Sequence, residues 1–232
     1  MSLEREGDMN MGKAKVIALV SGGIDSPVAC ALAGESFEVV PVHFCLYPYT
    51  CEETFQVAIN TLKNLKEIVK FEKLIVFPWA RVLDRIQKDK RNLSHACLAC
   101  RKGMFKVADR ICEQEGATGI ITGESLGQKA SQTLMNLNAT TRGIKFPILK
   151  PLLGMDKIEI ERISKEIGTW YEVHAGCCYA TPKHPRTRTK PEILDAIIET
   201  LQLEDIIDES FKKVLEVKTF EEDFENYLNS LA

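Results

Sequence analysis

The sequence predicts an α/β protein, in which a parallel sheet of about five strands carries helices on both faces and is followed by a helical C-terminal tail. Short apolar runs of strand length, such as 39–42 and 74–77, alternate with segments of helical periodicity. This alternation requires crossover connections, which place parallel strands in a sheet covered on both faces. The length of 232 residues suits one such domain with an appendage, and 45% hydrophobic and 27% charged residues are typical of a soluble globular protein.

Continuous apolar runs predict the strands, and periodic apolar residues predict the helices. The predicted strands span residues 15–20, 37–44, 73–78, 119–123 and 146–149. The predicted helices span residues 26–34, 52–69, 82–90, 98–115, 128–137 and 156–167. Residues 169–178 are predicted to form a loop or an irregular strand. From Pro191 onwards we expect two or three short helices, because Leu194, Ile197 and Leu201 recur at helical spacing.

The charge distribution divides the chain. Residues 191–232 contain 12 acidic and 3 basic residues, a net charge of −9, which leaves +6 on residues 1–190. We expect a disordered leader at 1–13, a catalytic domain at 14–190 and an acidic helical extension at 191–232. The mildly basic body is compatible with a polyanionic substrate, although a solvated surface explains so small an excess about as well.

Membrane and secreted proteins are disfavoured. No apolar run approaches the ~20 residues of a membrane span, and the polar, charged residues 1–13 do not resemble a signal peptide. We therefore expect a cytoplasmic protein without membrane contact. Eight cysteines without a secretory signal argue against a disulfide framework and for metal, cluster or sulfur chemistry. Cys30 and Cys112 lie within predicted helices and are expected to be buried.

The first predicted strand runs directly into a small polar turn at residues 21–26, with the sequence Ser-Gly-Gly-Ile-Asp-Ser. The two glycines let the backbone approach an anion closely, and successive amide groups can form an anion-binding nest. Pro27 suits the first turn of a helix whose N-terminus favours phosphate. Asp25 would repel a phosphate, so it is expected to orient the loop or to reach a bridging Mg²⁺. The turn therefore predicts a pyrophosphate-binding site.

The cysteines are grouped in two places. Cys97 and Cys100 form a CxxC at the start of a predicted helix, where two sulfurs lie on one face and the helix dipole favours thiolate. Cys177 and Cys178 follow a glycine in a predicted loop. The CxxC alone is compatible with a redox pair, half a zinc site or part of an iron–sulfur cluster. Adding one further cysteine gives three thiolates, which suits a cluster with one open iron.

Several other segments follow strands and therefore lie near the expected ligand edge of the sheet. The segment from Gly123 to Gln132 suggests a ligand contact or a capped helix start. His43 is expected to be packed or bonded to the backbone rather than to act as a base, and residues 47–50 suggest a rim for a flat ring. The basic run at 183–190 suits either phosphate contacts with RNA or a solvated connector. Its basic residues include Lys183, Arg186, Arg188 and Lys190.

The turn at 21–26 resembles the PP-loop signature of the ATP pyrophosphatases, which split ATP into AMP and pyrophosphate. Further matching stretches make residues 14–190 resemble the PP-loop domain of the ThiI family of tRNA 4-thiouridine sulfurtransferases. They are Pro-Tyr-Thr at 48–50, Gly-Glu-Ser-Leu-Gly-Gln-x-Ala-Ser-Gln-Thr at 123–133, Lys-Pro-Leu-Leu-Gly-Met-Asp-Lys at 150–157 and the cysteine loop through Thr187.

The resemblance implies that ATP and Mg²⁺ bind, that O4 of a tRNA uridine is adenylated, and that a sulfur nucleophile then displaces AMP. The implied ATP-binding residues are Ser21, Gly22, Gly23, Asp25, Ser26, His43, Gly123 and Gln132. The implied catalytic residues are Asp25 and the loop cysteines, with Cys178 favoured over Cys177. Archaeal relatives place an iron–sulfur cluster on a CxxC and a loop cysteine, which implies Cys97, Cys100 and Cys178. The sulfur donor would be sulfide or a persulfide carrier.

Full-length family members carry a THUMP region that grips tRNA, and some carry a C-terminal rhodanese domain. Residues 1–13 are too short for the first, and the acidic tail does not match the second. We therefore expect a short archaeal-type form, served by a separate RNA-binding subunit or acting on another substrate. The alternatives are sulfur or nitrogen transfer to a small molecule or carrier protein, as in thiamine thiazole synthesis, and a non-catalytic nucleotide-binding subunit. A homodimer is weakly preferred.

Overall fold

The computed structural model describes residues 12–171, 178–221 and 224–231. Its strands are β1 (Lys15–Leu19), β2 (Glu38–Cys45), β3 (Leu74–Pro78), β4 (Ile120–Thr122), β5 (Ile148–Leu149) and β6 (Leu215–Val217). Its helices are α1 (Asp25–Gly34), α2 (Glu52–Val69), α3 (Ala80–Lys88), α4 (Ala96–Glu115), α5 (Leu134–Thr141), α6 (Lys157–Glu166), α7 (Pro191–Leu201), α8 (Leu203–Phe211) and α9 (Phe224–Leu231). The predicted α/β class is confirmed. Residues 1–11 of the predicted leader and most of the predicted loop at 169–178 lie outside the described residues.

The strands lie side by side in the order β5-β4-β1-β2-β3-β6. The first five pair in parallel, and β6 pairs antiparallel to β3. The chain proceeds from β1 through β2 to β3, and β4 then lies on the other side of β1. The connections that follow β1 and β4 therefore lead away from each other. Sheets of this kind form a ligand crevice at that point, outside the carboxyl ends of the strands.

The tail adds a strand that the sequence did not predict. β6 pairs with β3, and Glu216 lies opposite Ile75. Val217 is fully buried, whereas its neighbours in β6 are half-buried or exposed. Three residues are too few for strand alternation to be recognised against the helical pattern that surrounds them. Within the described residues the sheet therefore has six strands rather than about five, and its sixth strand covers the edge of β3.

The strands alternate their side chains between two cores, one on each face of the sheet. Ile17 and Phe77 lie in the core that α3, α4, α7 and α8 cover. Val16, Ala18 and Val76 lie in the core that α1, α2, α6 and α9 cover. No helix within the described ranges is both long and apolar enough to cross a lipid bilayer.

The helix predicted at 128–137 begins later than expected. A short 3-10 turn occupies Ala130–Gln132, and α5 starts only at Leu134. Thr133 is extended, and its hydroxyl accepts a hydrogen bond from the Asn136 amide at 3.3 Å. This side-chain cap starts the helix after Thr133 and leaves the preceding residues free to form an irregular loop.

The tail packs on the body of its own chain. Leu194, Ile198 and Leu203 are buried in the core beside α4. Ion pairs surround this apolar contact: Arg81–Glu209, Lys106–Glu204, Arg110–Asp208, Arg142–Glu192 and Lys102–Asp195. Exposed pairs contribute at most about 1 kcal/mol each, so apolar burial dominates the attachment. The pairs nevertheless neutralise much of the positive charge on this side of the body.

Candidate functional site

A cavity of 300 Å³ opens at the carboxyl ends of β1, β2 and β4. It lies where the strand order predicts a crevice, between the connections that follow β1 and β4. Its wall combines the polar turn after β1, the end of β2, the first turn of α2, the second and third turns of α4 and the segment after β4. The predicted site residues Ser21, Gly22, Gly23, Asp25, Ser26, His43, Gly123 and Gln132 all line it.

The polar turn after β1 is held by its own serines. The Ser21 amide donates to the Ser26 hydroxyl at 2.8 Å, the Gly23 amide donates to the Ser21 hydroxyl at 3.3 Å, and the two hydroxyls lie 2.9 Å apart. A Cβ on Gly22 would lie 3.2 Å from the Ala58 amide nitrogen of α2. The turn is thus closely packed from behind and leads into the N-terminus of α1, an arrangement that binds anions.

Asp25 has a partner that the sequence analysis did not assign to the site. The Lys157 ammonium group, at the start of α6, lies 2.7 Å from the Asp25 carboxylate. Both side chains are partly exposed, at 42% and 21% respectively. Asp156 caps α6 by accepting from the Glu159 amide at 2.8 Å, which fixes Lys157 as its first residue. Lys157 therefore sets a positive charge beside the anion-binding turn.

His43 is neutral and oriented. Its Nδ1 lies 3.0 Å from the Val20 carbonyl oxygen, which can only accept, so Nδ1 carries the proton. Burial lowers the pKa of His43 to about 4, against a smaller opposing effect of the Val20 carbonyl. The Phe55 ring packs against the imidazole at 5.7 Å. The backbone bond that the sequence predicts is present, and Nε2 remains as an acceptor on a residue that lines the cavity.

Two residues of the segment after β4 meet the turn and the cavity. A Cβ on Gly123 would lie 2.5 Å from the Ser26 amide nitrogen and 2.7 Å from the Asp25 carbonyl carbon, so only glycine fits. Gln132 is buried, and its Oε1 has no hydrogen-bond partner within the described residues. A buried amide oxygen of this kind needs a donor. A nucleotide, which carries amino and hydroxyl groups, would supply one.

A buried carboxylate in this segment, that of Glu124, forms an ion pair with a residue of α4. Glu124 is 1% exposed and pairs with Arg101, and the Lys150 ammonium lies 3.0 Å from its other oxygen. The second contact is an ion pair without hydrogen-bond geometry. Arg101 lines the cavity and directly follows Cys100. This group was not predicted, because nothing in the local sequence patterns indicates that two distant cations converge on Glu124.

The CxxC begins α4, as predicted, and Cys97 and Cys100 are both half-buried. Burial raises the pKa of the Cys100 thiol to about 12, and an indole hydrogen bond from Trp79 and the charge of Arg101 only partly oppose this. Burial thus outweighs the helix dipole at Cys100. Lys102, the second cation that follows the CxxC, donates to the Arg142 carbonyl at 3.0 Å.

Cys178 is half-buried and packs against the same core as Cys100. Its segment is anchored by the Tyr179 amide, which donates to the Tyr49 carbonyl at 2.9 Å. Cys177 lies outside the described residues. Among the residues that are described, no three His, Cys, Asp or Glu side chains are grouped so that they could hold a metal ion.

The basic run lies beside the CxxC. The Arg186 amide donates to the Ser94 carbonyl at 3.0 Å, and the Asn136 side chain donates to the Arg186 carbonyl at 2.9 Å. The Thr133 hydroxyl holds the Thr187 carbonyl at 2.7 Å. The basic side chains named in the sequence analysis are all exposed, and none forms an ion pair within the described part of the chain. The run is thus a fixed, exposed strip of positive charge rather than a free connector.

Known proteins resemble this chain in sequence and in structure. The family model described as thiamine biosynthesis protein (ThiI) matches residues 11–203. A probable tRNA sulfurtransferase of Methanothermobacter thermautotrophicus is 40% identical over 215 residues, which cover 90% of this chain and 54% of the relative. One of Methanobrevibacter smithii is 35% identical over 219 residues, covering 91% and 57%.

Among solved structures, the crystal structure of a 4-thiouridine synthetase–RNA complex with bound ATP superposes with a TM-score of 0.80 at 32% identity. The match covers 88% of this chain and 55% of that chain. The chain therefore spans about half the length of the curated relatives and of the solved structure that it matches.

Proposed function

Because the chain belongs to the ThiI family, we propose that it uses ATP to activate a tRNA uridine and replaces its O4 with sulfur, giving 4-thiouridine. One observation carries the proposal: the helix that begins with the CxxC forms part of the wall of the cavity that the polar turn after β1 also lines. Arg101 follows Cys100 in sequence and lines that cavity together with the turn at Ser21–Ser26. An activated oxygen and an incoming sulfur would therefore meet at one edge of the sheet.

ATP fits the residues of the cavity. The turn amides and the N-terminus of α1 would bind phosphate oxygens, and Lys157 and Arg101 would balance their charge. The orphaned Oε1 of Gln132 and Nε2 of His43 would each accept a hydrogen bond from the nucleotide. Asp25, the carboxylate of the turn, would hold a Mg²⁺ that neutralises charge on the departing pyrophosphate.

The reaction has two steps. The uridine O4 attacks the α-phosphorus of ATP, the bond between the α-phosphorus and the bridging oxygen breaks, and pyrophosphate leaves. Sulfide then adds to C4, and O4 leaves as part of AMP. Adenylation converts a poor leaving oxygen into a good one, and fixed donors around the phosphates stabilise the developing charge.

The cysteines would hold the incoming sulfide beside C4 of the activated uridine. By chemistry, Cys97, Cys100 and Cys178 suit an iron–sulfur cluster, but the described residues contain no grouping of three donors that could hold a metal. We therefore derive no step through a cluster. Iron content and the absorption spectrum of anaerobically purified protein test that part of the proposal.

The activity test is anaerobic incubation of the protein with tRNA, ATP and sulfide, followed by analysis of nucleosides for 4-thiouridine. Replacing Cys177 and Cys178 together by Ser is expected to abolish the product. The exposed Cys51, whose sulfur lies 3.3 Å from the Thr54 hydroxyl, provides the control, because Cys51→Ser keeps a hydrogen-bonding group at this position. Full activity of the double variant would remove the cysteine loop from the mechanism.

We propose that the exposed basic strip contacts tRNA phosphates. Replacing Lys183, Arg186, Arg188 and Lys190 by Gln is expected to weaken tRNA binding and to lower the salt dependence by about 0.7 to 0.9 in slope for each phosphate that is no longer neutralised. Lys63→Gln, at an exposed position on α2, is the control. Equal salt slopes in the two variants would exclude the strip as the RNA contact.

A second candidate function follows from the description of the family as thiamine biosynthesis proteins. The same adenylation would then activate a carrier protein or a small molecule for sulfur transfer. Pyrophosphate release that depends on such a substrate, with tRNA inert, would favour it. A chain that releases no pyrophosphate with any substrate would instead be a nucleotide-binding subunit. A separate RNA-binding subunit and a homodimer also remain proposals, and light scattering of the protein with and without tRNA tests them.

A further inference from the structure

Trp79 lies between the cavity and the CxxC. It follows β3 directly, is fully buried, and its amide donates to the Cys45 carbonyl at the end of β2 at 2.9 Å. Its indole packs edge-on against Phe44, a residue of the cavity wall, with ring centroids 5.0 Å apart. Trp79 is therefore held in place by the end of β2, which its amide and its ring both contact, and by β3, which it directly follows.

The indole nitrogen donates to the Cys100 sulfur at 3.1 Å. A buried indole N–H requires an acceptor, and a neutral thiol is a weak one. Hydrogen bonds of this kind become stronger when the acceptor carries negative charge. The contact therefore fixes the direction of the Cys100 side chain and favours states in which its sulfur is electron-rich, as in a thiolate, a persulfide anion or a bound ligand.

The surrounding sequence leaves room for the indole. Gly103 lies three residues after Cys100 and so faces the same side of α4. A Cβ on Gly103 would lie 3.1 Å from the indole Cη2 and 3.5 Å from the Leu203 side chain of α8. The absence of a side chain at Gly103 allows the ring to lie against α4 with its N–H directed at the sulfur.

We infer that Trp79 is a positioning residue for sulfur transfer, fixing the Cys100 sulfur through its indole N–H. The inference rests on the proposed function, because it assumes that Cys100 belongs to the group that delivers sulfur. It adds a residue from the end of β3 that does not itself touch the substrate and that acts through the hydrogen bond to Cys100.

The contact is tested by the indole proton of Trp79 in a proton–nitrogen correlation spectrum of the whole protein. The chain has two tryptophans, so Trp170→Phe leaves a single indole signal. In that background, Cys100→Ala is expected to shift the signal and to speed its exchange with solvent about tenfold or more. Cys51→Ala is expected to leave it unchanged. If the indole signal keeps its position and exchange rate when the Cys100 sulfur is removed, the inference is overturned.

The role is tested by the ratio of 4-thiouridine formed to pyrophosphate released. Trp79→Phe retains most of the ring but removes the N–H, and the ratio is expected to fall about tenfold, the factor for one hydrogen bond. KM for ATP and pyrophosphate release are expected to stay unchanged, whereas a purely structural role would impair ATP use and thiouridine formation together. Gly103→Ala, which displaces the indole without removing it, provides a second variant if Trp79→Phe does not fold.

The outcomes are distinguishable. Wild-type protein that makes no thiouridine defeats the proposed function and with it the role in transfer, while the spectrum still reports the contact. If the wild-type protein makes thiouridine, and Trp79→Phe and Gly103→Ala both keep its ratio of thiouridine to pyrophosphate, only the inference about Trp79 is refuted.

Discussion

Gly123→Ala is expected to distort the anion-binding turn and to destabilise the fold. A Cβ at this position would lie 2.5 Å from the Ser26 amide nitrogen, 2.6 Å from the Ser26 Cα and 2.7 Å from the Asp25 carbonyl carbon. These are backbone atoms, which cannot rotate aside as the end of a side chain can. Overpacking typically costs about 1–3 kcal/mol, and the upper end applies because the start of α1 must move as a unit. For a chain of this length, about 3 kcal/mol lowers Tm by roughly 6–12 °C.

Thermal unfolding and calorimetric titration with ATP measure the two consequences. Displacing the turn is expected to weaken ATP binding by about tenfold to a hundredfold, because ligand contacts are sensitive to shifts of about 1 Å. Gly154→Ala is the matched control, since a Cβ there meets no atom within 4 Å. If Gly123→Ala matches Gly154→Ala in both Tm and ATP affinity, the packing argument is refuted.

Three further predictions concern charged and titratable groups of the site. The pKa of His43 falls from 6.5 to about 4 on folding. Between pH 6.5 and about pH 4, the unfolded chain therefore binds more protons at this residue than the folded chain does. Stability is therefore lost as the pH falls through that window, by about 3 kcal/mol in total, and denaturation of His43→Asn at pH 4 and pH 7 should show a smaller difference than wild type. Lys157→Met removes a partly exposed partner of Asp25, so the free energy of unfolding is expected to change by less than about 1 kcal/mol. Pyrophosphate release is expected to fall about tenfold, and unchanged release would show that Lys157 does not belong to the site. Glu124→Gln removes a buried carboxylate that pairs with two half-buried cations, Arg101 and Lys150. The free energy of unfolding in denaturant is expected to fall by about 3 kcal/mol, and a double variant that also carries Arg101→Gln should recover part of it. Purely additive losses would argue against the pairing.

The sequence predicted those parts of the molecule that depend on contiguous residues. A continuous apolar run identifies β1, and the Ser-Gly-Gly-Ile-Asp-Ser turn that follows it carries its own hydroxyl contacts between Ser21 and Ser26. Because strand, turn and α1 adjoin in sequence, the polar turn could be located from the sequence alone, and anion binding by it stays a prediction. The predicted backbone bond of His43 followed in the same way from its place in β2, although its partner, Val20, could not be named.

Short or context-dependent elements could not be predicted. β6 has three residues and becomes a strand because β3 offers it an open edge. The start of α5 depends on which of several polar residues acts as a cap, and Thr133 does so. The apolar stripe of the tail was compatible with packing on its own body or on a second copy, and burial of Leu194 against α4 decides for the body.

The sequence by itself determined the order of β1–β5 and of the helices between them, the position of the polar turn after β1 and the kinds of side chain available for sulfur chemistry. Only the tertiary structure decided which distant groups meet: Lys157 with Asp25, two cations with Glu124, and the Trp79 indole with the Cys100 sulfur. The physical reason is the distance along the chain over which each kind of interaction acts. Hydrophobic periodicity and turn chemistry act over a few neighbouring residues, whereas burial and charge pairing depend on what other segments bring to the same edge of the sheet.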